Sequence, residues 1–219
     1  MEKSCCAVIL AGGESRRMGR NKAALRIGEE SFIERIAREL EGFREKYVSV
    51  GSGAAVLPGW EPLGDIFPGC GPMGGIHAAL SSCRAEWAVF VPCDAPLYRR
   101  SIAELLWRAA VDDASAAEGP GDDSGRQIIV PVTADGRWHM TAGLYRKSLL
   151  PDIEKCLKEG NYRLRNLVRE NNTGTVLLDG TYAAYGEMLT NVNTEEEYRA
   201  LLGRPGGSVA CLSQQGGLQ

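Results

Sequence analysis

Short apolar runs alternate along this chain with stretches that can bury only one side, and that alternation restricts the fold more than any other feature. Ala7-Val8-Ile9-Leu10, Tyr47-Val48-Ser49-Val50 and Trp87-Ala88-Val89-Phe90-Val91 read as buried strands. Within 31–41, Phe32, Ile33, Ile36, Ala37 and Leu40 recur at helical spacing and make one apolar face. Further helices are predicted over 76–82, 101–111, 149–159 and 194–202, and a strand over 175–178. The segments 128–132 and 138–145 flank Asp135-Gly136, a hairpin signature, while the acidic, Gly-rich stretch 112–125 reads as a flexible surface loop. Strands alternating with helices build βαβ units. The predicted fold is therefore α/β: a doubly wound, mostly parallel sheet in a three-layer α/β/α, Rossmann-like arrangement. One domain is expected over 1–203, followed by a Gly/Ser/Gln-rich tail, 204–219, expected to be disordered.

Composition narrows the partners. The 25 Lys and Arg stand against 28 Asp and Glu, a formal charge of −3, so a general polyanion binder is disfavoured and no nucleic-acid partner is expected. No apolar run approaches the roughly 18 residues of a membrane span. Met1 to Cys6 leads straight into a strand without the apolar core of a signal peptide, which points to a cytoplasmic protein. The seven scattered cysteines fit reduced thiols packed as small hydrophobes. With only His77 and His139, a metal should sit on oxygen ligands as a hard cation.

In a doubly wound sheet, ligands bind beyond the carboxyl ends of the strands. The densest polar cluster lies there, directly after the first strand: Leu10-Ala11-Gly12-Gly13-Glu14-Ser15-Arg16-Arg17-Met18-Gly19-Arg20-Asn21-Lys22. Three glycines and four cations share eleven residues, 12–22. Glycines let the backbone approach a phosphate, and the cations supply charge. Glu14 occupies the place where a dinucleotide fingerprint needs glycine, and Arg20 follows Gly19 where a P-loop needs lysine. Asp94, after the third strand and between Pro92 and Pro96, is a candidate Mg²⁺ ligand or an Asx-turn aspartate. Asp65 alone reads as a loop aspartate. Thr194 can cap the final helix, with Glu197 at the capping-box position.

The run Leu-Ala-Gly-Gly-x-Ser-Arg-Arg-Met-Gly-x-x-Lys resembles the signature of the molybdenum cofactor guanylyltransferases, nucleotidyltransferases with a glycosyltransferase A-type fold. Gly71-Pro72-Met73-Gly74-Gly75-Ile76, Pro92-Cys93-Asp94-Ala95-Pro96-Leu97 and Asn191-Val192-Asn193-Thr194 fit the family in order, so the resemblance spans 7 to about 202. It implies transfer of GMP from GTP to molybdopterin with release of pyrophosphate. It also implies that Leu10, Ala11, Gly12, Gly13, Lys22, Asp65 and Asp94 bind the nucleotide, and that Arg17, Lys22 and Asp94 carry the chemistry. Asp94 would hold Mg²⁺, the expected cofactor, while Asn191, Asn193 and Arg163 would face the molybdopterin side. Other cofactor-biosynthesis proteins and molybdoenzyme chaperones are implied partners. Gly51-Ser52-Gly53 departs from the family, whose members commonly carry an asparagine there, and His139 keeps the family's acceptor-side histidine without its proline. Arg163 and Arg165 read equally well as a solvated basic turn. Three alternatives stand beside this reading: a cytidylyltransferase acting on molybdopterin, a sugar-phosphate nucleotidyltransferase, and a non-catalytic escort protein.

Overall fold

The computed structural model describes residues 1–12, 22–50, 57–116 and 125–203. β1 (Cys5–Leu10) is buried along its whole length. After a 3-10 turn over Lys22–Ala24, β2 (Arg26–Ile27) and β3 (Glu30–Ser31) make a small hairpin that turns at Gly28, where φ is +64°. α1 (Phe32–Glu39) starts at Ser31. The Ser31 hydroxyl accepts from the Glu34 amide, and the Glu34 carboxylate accepts from the Ser31 amide, so two otherwise orphaned donors are satisfied reciprocally. β4 (Lys46–Ser49), β5 (Glu61–Leu63), α2 (Pro72–Ser82), β6 (Trp87–Pro92) and α3 (Arg100–Ala116) follow. The second half adds β7 (Ile128–Thr133), β8 (Leu144–Arg146), α4 (Leu150–Lys158), α5 (Leu164–Glu170), β9 (Thr173–Leu178), α6 (Ala183–Met188) and α7 (Glu195–Leu202).

Seven strands form one sheet in the order β5-β4-β1-β6-β8-β7-β9. Only β8 runs against its neighbours; the remaining pairs are parallel. Successive side chains of a strand point to opposite faces, and the two cores follow that alternation. Ile9 and Val89 lie on one face with Ile36 of α1, Ile102 and Leu106 of α3, and Met188 of α6. Val8 and Phe90 lie on the other face with Ile76 of α2, Ile153 of α4 and Leu167 of α5. The three-layer, mostly parallel α/β architecture expected from the sequence is thus observed.

Some boundaries differ from expectation. α3 runs on to Ala116, into what reads as the start of a loop, because no glycine or proline interrupts the chain before Gly119-Pro120. Residues 117–124 of that predicted loop, and the tail 204–219, lie outside the described residues. The hairpin after β7 turns through Gly136, where φ is +79°, but its return limb is broken. Trp138 bridges Val132, a 3-10 turn occupies Met140–Ala142, and only Leu144–Arg146 is a strand. α2 begins at Pro72, a turn earlier than its apolar pattern suggests, since proline at the first helical position has its φ preset.

That early start places Gly74 and Gly75 inside the helix. A Cβ on Gly75 would lie 2.5 Å from Ser49 Oγ and 3.1 Å from Leu10 Cδ2; one on Gly74 would lie 2.9 Å from the Phe67 carbonyl oxygen. These glycines let α2 seat directly on β1, β4 and the segment after β5. Gly74→Ala is expected to destabilise the protein by roughly 1–3 kcal/mol. Gly75→Ala should cost less, because the Ser49 hydroxyl can rotate away whereas a backbone carbonyl cannot. Urea unfolding midpoints of the two variants would check that order.

Candidate active site

From β1 the chain moves outward to β4 and β5, then crosses back under α2 to β6 on the far side of β1. The order therefore reverses between β1 and β6, and an α/β sheet opens a ligand crevice at the strand ends of such a switch point. Hydrogen bonds tie those ends together. Leu10 accepts from the Cys93 amide at 3.0 Å, and the Ala11 amide donates to Ser49 at 2.9 Å. Leu10 is buried, Ala11 half-buried and Gly12 exposed, so the chain emerges from the sheet into the crevice within three residues. Gly13 and Arg17 lie outside the described residues, as does the Gly51 departure.

Lys22 and Asp94 meet in this crevice. Lys22 Nζ is 3.3 Å from Asp94 Oδ2 and donates to Asn193 Oδ1 at 2.7 Å. The two charged side chains are 19% and 18% exposed, which is enough burial for their charges to matter locally and enough opening for a ligand to reach them. Burial raises the Asp94 carboxyl above the usual carboxylate range, and the neighbouring Lys22 ammonium pulls it back down. The second Asp94 oxygen, Oδ1, is buried and has no hydrogen-bond partner among the described residues. A buried carboxylate oxygen without a donor suits a hard cation. Among the described residues no group of three or more His, Cys, Asp or Glu could hold a metal. The donor set thus fits Mg²⁺, which takes one or two carboxylates and completes its shell with phosphate oxygens and water.

Asp65 follows β5, and its Oδ1 is also buried without a partner among the described residues. Burial raises this carboxyl too, with the Ser49 hydroxyl acting in the opposite direction. β5 and β6 are separated by β4 and β1, so at about 4.8 Å per strand the two strands lie on the order of 14 Å apart, and the Asp65 carboxyl reaches back from β5 toward Ser49 of β4.

The segment after α6 crosses the crevice. The Val192 amide donates to the Asp94 carbonyl at 2.7 Å, with Val192 itself buried. Asn193, which the resemblance puts on the molybdopterin side, contacts Lys22. Asn191 lines a small cavity of about 120 Å³, largely apolar, with Pro96, Leu97, Val192 and Leu201. Arg163 is not brought to this cluster. It stands exposed at the N-cap of α5, and Arg165 lies within that helix, whose Leu164, Leu167 and Val168 face the core. The apolar spacing of those three residues was the available signal for a helix where the sequence reads as a basic turn. Sequence reasoning also left Glu197 and Tyr198 as parts of a helix, although they bear on the crevice: the Tyr198 hydroxyl donates to the Arg26 carbonyl at 2.7 Å, and Glu197 accepts the Asn193 amide at 2.6 Å.

A part-buried lysine–aspartate pair at the switch point of a mostly parallel sheet marks an α/β protein that takes its ligand at the strand ends. The MobA-like NTP transferase domain family matches residues 7–175, and the chain belongs to it; it is a nucleotidyltransferase. Among its relatives, the probable molybdenum cofactor guanylyltransferase of Clostridium perfringens is 30% identical over 202 residues, covering 90% of this chain and 95% of the relative. Molybdopterin-guanine dinucleotide biosynthesis protein A from Archaeoglobus fulgidus shares the fold, with a TM-score of 0.70 at 18% identity over 89% of this chain and 95% of that one. A Mycobacterium tuberculosis protein solved in complex with manganese superposes with a TM-score of 0.59 at 21% identity, over 91% and 97% of the two chains. Among the described residues, no helix is long and apolar enough to cross a membrane.

His139 is half-buried, with Nε2 3.3 Å from Thr133 Oγ1. Burial, and then the Arg137 charge, hold its imidazole below the usual histidine range. The folded state therefore prefers the neutral ring. That contribution to stability is complete above about pH 6.5 and is lost as pH falls through the ordinary histidine value toward the lower folded one. His139→Gln should flatten the acid side of the stability curve, as read by urea midpoints between about pH 5 and 7.5.

Proposed function

We propose that the protein transfers GMP from GTP to the terminal phosphate of molybdopterin, releasing pyrophosphate and forming the guanine dinucleotide of the cofactor. The observation that carries this reading is the Lys22 ammonium held between Asp94 and Asn193 at the sheet's switch point, beside a carboxylate oxygen with no donor among the described residues. The names of the relatives supply the identities of nucleotide and acceptor, and Asp65, after β5 on the same strand edge, gives a nucleotide a second polar anchor.

Nucleotidyl transfer brings an anionic phosphate toward an anionic triphosphate, so catalysis is chiefly positioning and charge neutralisation. Gly12, exposed where the chain leaves β1, has no side chain to keep the triphosphate from backbone contact. Lys22, with Arg17, neutralises its phosphates. Asp94 would hold Mg²⁺, which when bound supplies positive charge at the phosphate oxygens. An oxygen of the acceptor phosphate forms a bond to the α-phosphorus as the bond from that phosphorus to the bridging oxygen breaks, and the electron pair leaves with pyrophosphate. The attacking phosphate is already ionised, so no side chain is needed as general base.

A charged contact made to the transition state is worth roughly 2.7–4 kcal/mol by comparison with an oxyanion-hole donor, so Lys22→Ala should lower turnover by about 10²–10³. The substrate assignment is tested by incubating the protein with each of the four NTPs, Mg²⁺ and molybdopterin, measuring pyrophosphate and weighing the dinucleotide formed. GTP should be preferred. Preference for CTP would move the protein to the cytidylyl branch, and activity toward sugar phosphates alone would remove molybdopterin.

A further inference from the structure

The final helix reaches back to the charged pair through one carboxylate. Glu197 Oε2 accepts the Thr194 amide at 3.0 Å, while the Thr194 hydroxyl accepts the Glu197 amide at 3.1 Å. That exchange completes an ordinary capping box, and helix capping asks for nothing more. The same carboxylate oxygen also accepts the Asn193 amide, at the shorter distance of 2.6 Å. Amides 193 and 194 belong to the two peptide planes that flank the Asn193 α-carbon. Binding both to one oxygen fixes the backbone of Asn193 and hence the direction in which its side chain leaves. That side chain is the one whose Oδ1 receives Lys22. α7 is itself held to the stretch following Lys22, through the Tyr198 hydroxyl on Arg26 and through the Tyr198 ring, which meets Phe32 edge-on at 5.9 Å. Asn193, Thr194, Glu197 and Tyr198 lie beyond 175, where the family match ends.

We infer that Glu197 is a positioning residue for Lys22: it sets Asn193, and Asn193 holds the ammonium on the Asp94 side of the crevice before a phosphate arrives. The inference rests on Lys22 serving as a phosphate-neutralising group. A lysine is a point charge on a flexible four-carbon stem, and a cation aimed in advance need not reorganise when it binds. Glu197 touches neither substrate nor the reacting atoms in this arrangement.

The test uses the full chain and inorganic tripolyphosphate in magnesium buffer, a probe that carries the phosphates of any NTP but no base, with affinity read by calorimetry and melting temperature recorded in parallel. Glu197→Ala should weaken binding about tenfold, the loss expected when a hydrogen bond to a charged group is misdirected. Glu197→Gln retains an acceptor oxygen at the same reach and should stay within about twofold of the native protein. Thr194→Ala removes the other half of the capping box without touching the Asn193 amide; it should lower the melting temperature about as much as Glu197→Ala yet bind within about twofold of native. In a Lys22→Ala background, Glu197→Ala should add less than twofold, because its effect passes through the lysine. Equal weakening by Thr194→Ala, or full additivity with Lys22→Ala, overturns the positioning role while leaving the phosphate site intact. A native protein that does not bind tripolyphosphate overturns the phosphate reading of Lys22, and the inference with it.

Discussion

A carboxylate at the end of an apolar strand is costly unless something answers its charge, and Lys22 answers Asp94. The strand leading to it, β6, is buried along its length, and the Asp94 carboxyl inherits that low-dielectric setting. The lysine precedes the aspartate by 72 residues and the asparagine that receives it by 171, so the site exists only when the fold is complete. Partial burial governs what the pair can do. A fully exposed pair would be screened and worth little, and a fully buried pair would repay its desolvation only with ideal geometry. At under one-fifth exposure, each group keeps a local field that an incoming phosphate or cation can exploit.

The sheet produces this juxtaposition because parallel strands deliver all their carboxyl ends to one edge. β1 and β6 are paired from Cys5 with Trp87 to Leu10 with Pro92, so the chain leaving β1 and the turn carrying Asp94 emerge side by side. α2 has to cover β1 and β4 from one face without obstructing that edge. Its Gly74 and Gly75 permit the close seating, and Gly71, with φ at +62°, allows the sharp entry before Pro72. The glycines of this segment therefore act one step before chemistry. They set how near the helix comes to the sheet, and so how much of the strand edge stays open.

Much of this could be read from the amino acids, for definable reasons. β1, β4 and β6 are apolar enough to announce burial, α1 shows its face at i, i+1, i+4, i+5 and i+8, and the Thr194–Glu197 capping box forms as its spacing suggests. Lys22 and Asp94 follow strands and meet at the strand edge. What escaped were elements whose signal is short or mixed. β2 and β3 have two residues each, β5 has three including a proline, and α5 alternates its three core residues with arginines that dominate the local reading. Long-range partnerships escaped too. The Glu197 carboxylate that holds the Asn193 backbone is only four residues away, but nothing local tells that the side chain will meet a lysine 171 residues distant, or that Val192 will bond across to Asp94.

Charge elsewhere on the surface sharpens the role of the crevice. Arg38 pairs with Glu30, Arg99 with Glu39, and Arg100 with Glu2 and Glu104, so these cations at α1 and the start of α3 are engaged with neighbouring carboxylates. On a body of net charge −3, such pairs leave little diffuse attraction for polyphosphate. Selectivity for a triphosphate must then come from short-range geometry, where a positioned ammonium counts for more than several mobile ones. This is why the backbone of Asn193 matters. A site that relied on summed positive potential would tolerate a loosely held lysine, whereas one built on a partly buried pair within an acidic protein depends on where that lysine points.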